Sequence, residues 1–207
     1  MKRNSVWPPL LMVVVFWLSR WPGLLPQNFS AAYALVFCAG LYVPGALGWI
    51  APLAVVAVSD CLITPVFYHS HDFSWTRLLV ELAPNYLAYA GLIALGRSVG
   101  GRRPWWLLVG GGLVGAMLFY LVTNTASWLA SAYYAKTLAG WIQALTWGTP
   151  GHPPTWEFFR NTLTSGGLFT GLFVGAMKMS EDSEAREKDE EAPDEKEEEG
   201  EPAKADT

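Results

Sequence analysis

Six apolar segments, each about as long as a helix needs to cross a bilayer, organise this chain. They run roughly over Pro8–Leu25, Ala31–Leu47, Trp49–Phe67, Leu79–Leu95, Pro104–Val122 and Phe158–Met177. Backbone polar groups in lipid must find partners within their own segment or a closed barrel. Segments of this length choose the first solution. The expected fold is therefore all-α: a polytopic membrane protein with six transmembrane helices and a hydrophilic tail. The first segment opens with Lys2 and Arg3, as a signal peptide would, but no A-x-A-like site follows Leu18. Arg20, Trp21, Pro22 and Gly23 come instead and read as an interface and a turn, so this helix is expected to be retained.

Charge divides the chain into two parts. From Met1 to Ser180 there are four acids and ten bases; from Glu181 onward there are fourteen acids and four bases. Residues 1–180 are expected to form the six-helix domain. Residues 181–207 lack aromatics, cannot bury enough apolar surface to pack, and are expected to form a disordered acidic cytoplasmic tail. Lys2 and Arg3, then Arg97, Arg102 and Arg103, then Lys178 all fall on one side of a six-span arrangement. The positive-inside rule makes that side cytoplasmic. The reading is a multi-pass protein of the bacterial inner (cytoplasmic) membrane with both termini inside. Tryptophans 7, 21, 49, 75, 105, 106 and 156 flank the spans as an aromatic belt. Residues 130–157 form a long outer connection, expected to hold an interfacial helix rather than a lid.

Asp60 is the one ionisable acid or base between Trp49 and Phe67. It lies eleven residues past Trp49, roughly 16 Å along a helix axis. A charge at that depth costs about 2.5–3.5 kcal/mol on insertion scales and usually faces protein or a cavity. With the spans oriented, other polar residues fall toward the same outer side: Asn28 and Ser30, Asn85 with Tyr86 and Tyr89, Thr123 with Asn124 and Trp128, and Asn161 with Thr162 and Thr164. Any one asparagine there could be a helix cap or an interhelical bond. Taken together they suggest an outward-facing polar site between helices. The expected lining is Asp60, Asn85, Tyr86, Asn124, Trp128 and Asn28. Gly111 and Gly115 in span five, and Gly167, Gly171 and Gly175 in span six, have the four-residue spacing that lets helices approach closely.

The signatures of familiar chemistry are missing. There is no nucleotide-binding G-x-x-x-x-G-K-[ST] loop, no H-E-x-x-H and no G-x-S-x-G. One buried aspartate lacks the second carboxylate of an aspartyl dyad. His69, His71 and Asp72 are clustered but their spacing is unspecific for a metal. Cys38 and Cys61 each lie in an apolar run, and no disulfide between them is expected. Neither an enzyme activity nor a cofactor, metal or nucleic-acid partner is expected.

Several stretches carry a resemblance. Asn28-Phe29-Ser30-Ala31, Phe37-Cys38-Ala39-Gly40, Pro52-Leu53, Ser59-Asp60, Asn85-Tyr86-Leu87-Ala88-Tyr89, Thr123-Asn124 with Trp128, and Leu138-Ala139-Gly140 resemble an uncharacterised family of small bacterial integral membrane proteins. The resemblance covers about residues 28–178. That family is distantly similar to the substrate-binding S components of energy-coupling factor vitamin transporters. This similarity implies an S-component-like bundle, an outer ligand site, and partnership with a membrane coupling subunit and ATPases. Span one, with Val13, Val14, Val15 and Phe16, departs from the alanine-rich docking face common in S components. The function expected is a membrane substrate-binding or transport component for a small solute. The alternative is a non-catalytic scaffold whose acidic tail recruits a cytoplasmic partner.

Overall fold

A computed structural model describes residues 6–67 and 75–198, so His69, His71 and Asp72 lie outside the described residues. The described residues form seven α-helices and no strand: α1 (Trp7–Arg20), α2 (Ala32–Tyr42), α3 (Leu47–Phe67), α4 (Trp75–Val99), α5 (Trp105–Ala130), α6 (Leu138–Thr146) and α7 (Thr155–Glu198). Six of them coincide with the apolar segments of the sequence. The short α6 occupies the long connection before the last.

Helix α2 is the axis of the bundle. Its residues from Ala32 to Leu41 are all buried, and α1, α3, α4, α5 and α7 pack around it. A helix apolar on every side can be satisfied only by neighbours on every side, and AYALVFCAGLY has no polar face to offer water. Phe16, Phe37, Phe173, Leu92, Ile93 and Leu108 fill the space between it and its neighbours.

The tightest approach is between α2 and α4, and glycine permits it. A Cβ at Gly40 would collide with the Ile93 carbonyl, and one at Gly96 with the Phe37 carbonyl. The two backbones meet where neither has a side chain. Between α5 and α7 the same role falls to Gly112, pressed by the Thr170 side chain, and to Gly166, where a Cβ would lie 2.6 Å from that of Ala116. The glycines picked out by spacing behave differently from one another. A Cβ on Gly111 would lie 2.8 Å from the Phe37 ring, on Gly115 3.3 Å from Leu92, and on Gly167 2.9 Å from Leu113. Gly171 would only touch Val109 at 4.0 Å, and Gly175 would meet nothing within 4 Å. Four-residue spacing finds a face of a helix, but the partner decides which glycines on it are needed.

The outside of the bundle is apolar as well. Leu10, Val14 and Leu18 on α1, Leu79, Val80 and Leu87 on α4, and Leu113, Val114, Met117 and Leu118 on α5 are exposed. Two helical stretches, Leu78–Val99 and Trp105–Ala130, are long and apolar enough to cross a membrane. Only 28% and 33% of their most apolar windows are buried within the bundle, so they are not core helices in disguise. Trp7–Arg20, Ala32–Tyr42 and Leu47–Ile63 are apolar but shorter.

Helix α7 does not stop at Ser180 but continues to Glu198, through much of the segment expected to be disordered. Forty-four residues make a helix of about 66 Å at 1.5 Å per residue. Composition excludes a core there, not a helix: Glu, Lys and Ala are good helix formers, and the charged stretch continues a helix already nucleated by the packed part of α7.

Candidate functional site

The site begins at the end of α1. Ser19, buried, donates to the Phe16 carbonyl at 2.8 Å and accepts from the Ala31 amide at 2.9 Å. That clip ties the last turn of α1 to the first of α2 and leaves residues 21–30 as a closed loop. Within the loop Gly23 and Asn28 take positive φ, 81° and 61°. Asparagine is among the few non-glycine residues that accept the left-handed region readily. The loop is fastened from two other places. Tyr33 on α2 donates its hydroxyl to the Asn28 carbonyl at 3.2 Å, and Asn161 on α7 donates to the Gln27 carbonyl at 2.9 Å.

Arg20, the last residue of α1, is thereby aimed into the bundle. Its Nη2 donates to one carboxylate oxygen of Asp60 on α3. The other carboxylate oxygen accepts from the Tyr86 hydroxyl of α4 at 2.8 Å. Three helices thus contribute a base, an acid and a phenol to one buried cluster, with Asp60 only 5% exposed. The carboxylate has a cation on one side and a charge-assisted hydrogen bond on the other. This is how the chain carries an aspartate inside an otherwise apolar helix. Behind Tyr86 an aromatic series crosses the bundle. Tyr86 meets Tyr89 edge-on at 6.0 Å, Tyr89 stacks on Phe119 at 4.9 Å, and Phe119 packs on Tyr33 at 4.7 Å.

A cavity of about 520 Å³ lies beside this cluster, under the α1–α2 loop. Arg20, Asn28, Ser30, Tyr33, Ile63 and Phe158 are among its walls, with the loop backbone. Asp60 and Tyr86 are not; they stand behind Arg20. Among the described residues Arg20 is the only charged side chain that lines the space, and no acid does. Its guanidinium has five N–H donors. Among the described residues it bonds Asp60 alone, through Nη2, while Nε is buried with no partner.

The six side chains expected to share one site are therefore distributed over several places. Asp60 and Tyr86 are bonded to each other, and Asn28 lines the cavity through the loop. Asn85, half-buried on α4, makes no side-chain hydrogen bond among the described residues. Asn124 donates to the Tyr120 carbonyl of its own helix at 2.9 Å. Trp128 donates to the Ala135 carbonyl at 2.9 Å and carries Lys136 over its ring at 5.8 Å. Those two organise the start of the outer connection. Helix α6 is strapped down nearby, with Trp141 donating to Thr125 at 2.9 Å and Tyr120 donating to the Leu145 carbonyl at 2.6 Å. No residue of 130–157 lines the cavity. The residues that sequence reasoning missed are Arg20, Ser19 and Tyr33. Arg20 was detectable: it is the only base near the outer end of span one, and Asp60 lies toward the same side in span three.

The bundle and its buried base–acid–phenol cluster define a small helical protein with an apolar exterior and an internal polar site. The chain belongs to a family of unknown function (DUF6580), which matches it over residues 1–188. Comparison with curated proteins and with solved structures found no match.

Proposed function

We propose that this protein is a six-span membrane protein that holds a small solute in the cavity under the α1–α2 loop, on the outer side, as a binding or transport component. The observation that carries the reading is the cavity itself: a space of about 520 Å³ entered by one arginine, inside a bundle that exposes large apolar side chains on several helices. Pockets between bundled helices with a few convergent polar groups are typical small-ligand sites. Exposed apolar side chains on several helices would be a liability in water and suit lipid. Helices α1 and α2 are short for a span, 14 and 11 residues. The thickness rule constrains helices that face lipid, and α2 faces only other helices. The clusters of positive charge support an orientation with the α2–α3 and α4–α5 turns in the cytoplasm. Arg97 there donates to the Gly45 carbonyl and sits over Trp49 at 5.4 Å. In this reading an S-component-like bundle is the proposed fold, and it would bring a candidate partner class, a coupling subunit with ATPases.

The test is gentle purification of the protein in native lipid, followed by mass spectrometry of the small molecules released on denaturation. A stoichiometric solute supports the reading; a reproducibly bare protein counts against it. A scaffold role has one observation in its favour, the charged extension of α7 to Glu198. It would make truncation after Ser180 more damaging than any change at Arg20.

A further inference from the structure

We infer that the solute is an anion carrying a single carboxylate or equivalent charge, and that Arg20 is the residue that binds it. This inference rests on the binding reading above and specifies its ligand class. The first ground is charge. Among the described residues Arg20 is the one ionised side chain in the cavity wall, so a solute entering the space meets its guanidinium and no described acid. The second is unused bonding capacity. Only Nη2 is committed to Asp60, and Nε is a buried donor with no acceptor. A buried donor left unpaired costs about 1–3 kcal/mol, which an incoming acceptor recovers as the guanidinium adjusts. Arginine suits this division of labour, because its planar fork can serve two acceptors from different edges.

The third ground is the arrangement behind Arg20. Asp60 stands away from the cavity, 7% exposed in its side chain against 24% for Arg20. The Tyr86 hydroxyl holds its far oxygen at 2.8 Å. The pair therefore presents its positive end to the cavity and its negative end to the protein. A pair that is neutral in sum favours one negative charge over several, and disfavours a cation that would meet the guanidinium first. Asp60 and Tyr86 act here as positioning residues. They orient Arg20 and also moderate its charge. Ser30 adds a hydroxyl at the wall, its oxygen accepting from the Ala32 amide at 3.1 Å and its proton free to turn toward a ligand.

The experiment uses the full chain in lipid nanodiscs and three probes of one shape: benzoate, benzamide and the benzylammonium ion, titrated calorimetrically. Benzoate is expected to bind at least about tenfold more tightly than either of the others, and Arg20→Gln to remove that preference. Asp60→Asn keeps an acceptor for Arg20 but removes the opposing charge, so it should tighten benzoate by about tenfold, the order expected for one charge a few ångströms away in a partly screened site. Arg20→Lys keeps the charge without the fork and should weaken benzoate while remaining folded. Weaker benzoate binding by Asp60→Asn, or equal binding of benzamide or benzylammonium, overturns the anion assignment and leaves the small-solute reading standing. If no probe binds the wild type, the anion assignment also fails. A bare protein in the native-lipid mass spectrum is the separate outcome that removes the binding reading itself.

Discussion

Arg20 and Asp60, forty residues apart in the chain, form a partly buried ion pair between the end of α1 and α3, with Asp60 buried and Arg20 open to the cavity. The pair explains why an acid can lie in a helix that is otherwise apolar, and it couples two helices that share little other contact. Removing one partner of a buried pair leaves an uncompensated charge and typically costs about 3–5 kcal/mol. Arg20→Met and Asp60→Leu are each expected to destabilise the protein by that order. The double variant should recover most of the loss, since an apolar pair of similar volume carries no desolvation penalty. Equilibrium unfolding in mixed micelles measures all three. Strictly additive losses would mean that the two side chains are not coupled.

Tyr86 is a smaller contributor with a cleaner deletion. Tyr86→Phe removes only the hydroxyl that serves the Asp60 carboxylate. Hydrogen bonds to charged groups are worth about 1.5–3 kcal/mol, and a loss of that size is expected by the same unfolding assay. An unchanged stability would show that the second carboxylate oxygen finds another donor without cost.

The glycines separate into two groups by what surrounds them. Gly96→Ala should disrupt the α2–α4 seam, because the new Cβ meets the Phe37 carbonyl and backbone cannot yield cheaply. Gly175→Ala enters open space, and a helix gains about 1 kcal/mol from that exchange. The expected order of stability is Gly175→Ala above wild type and Gly96→Ala well below it. Thermal denaturation reads the order directly.

These contrasts show how far the sequence could be read. The six apolar segments each overlap a helix, though α1 and α2 are shorter than their segments, and Asp60 was conspicuous because charge in such a run demands an explanation. Arg20 was read as an interfacial anchor, since bases at span ends usually are. Its role depends on where α1 leans against α3, a tertiary relationship that no local pattern encodes. Asn124 and Trp128 shared Asp60's expected depth, but depth says nothing about direction around the bundle, and the structure gives them other partners. Gly40 and Gly96 were missed for a related reason: Gly40 is alone on α2 and Gly96 stands five residues, not four, from Gly91 on α4, and the seam they form exists only when the two helices are put together. The charged stretch after Ser180 was read for its inability to pack, which leaves its local helix propensity undecided.

The proposed six-span arrangement makes a labelling prediction. Single cysteines replacing Gly151, in the connection before α7, and Gly100, in the turn after α4, should lie on opposite faces of the membrane. These are introduced into a background with Cys38 and Cys61 replaced by Ala. An impermeant thiol reagent applied to intact cells is expected to modify the first and spare the second. Equal labelling of both would contradict the proposed topology.

The central claim is that the cavity at Arg20 holds a small solute. Its most direct test compares wild type and Arg20→Gln, purified in parallel in native lipid and examined by mass spectrometry for retained small molecules. The expected result is a stoichiometric, singly anionic compound on the wild type that is missing from a folded Arg20→Gln protein. The same compound retained equally by both, or none on either, would contradict the claim.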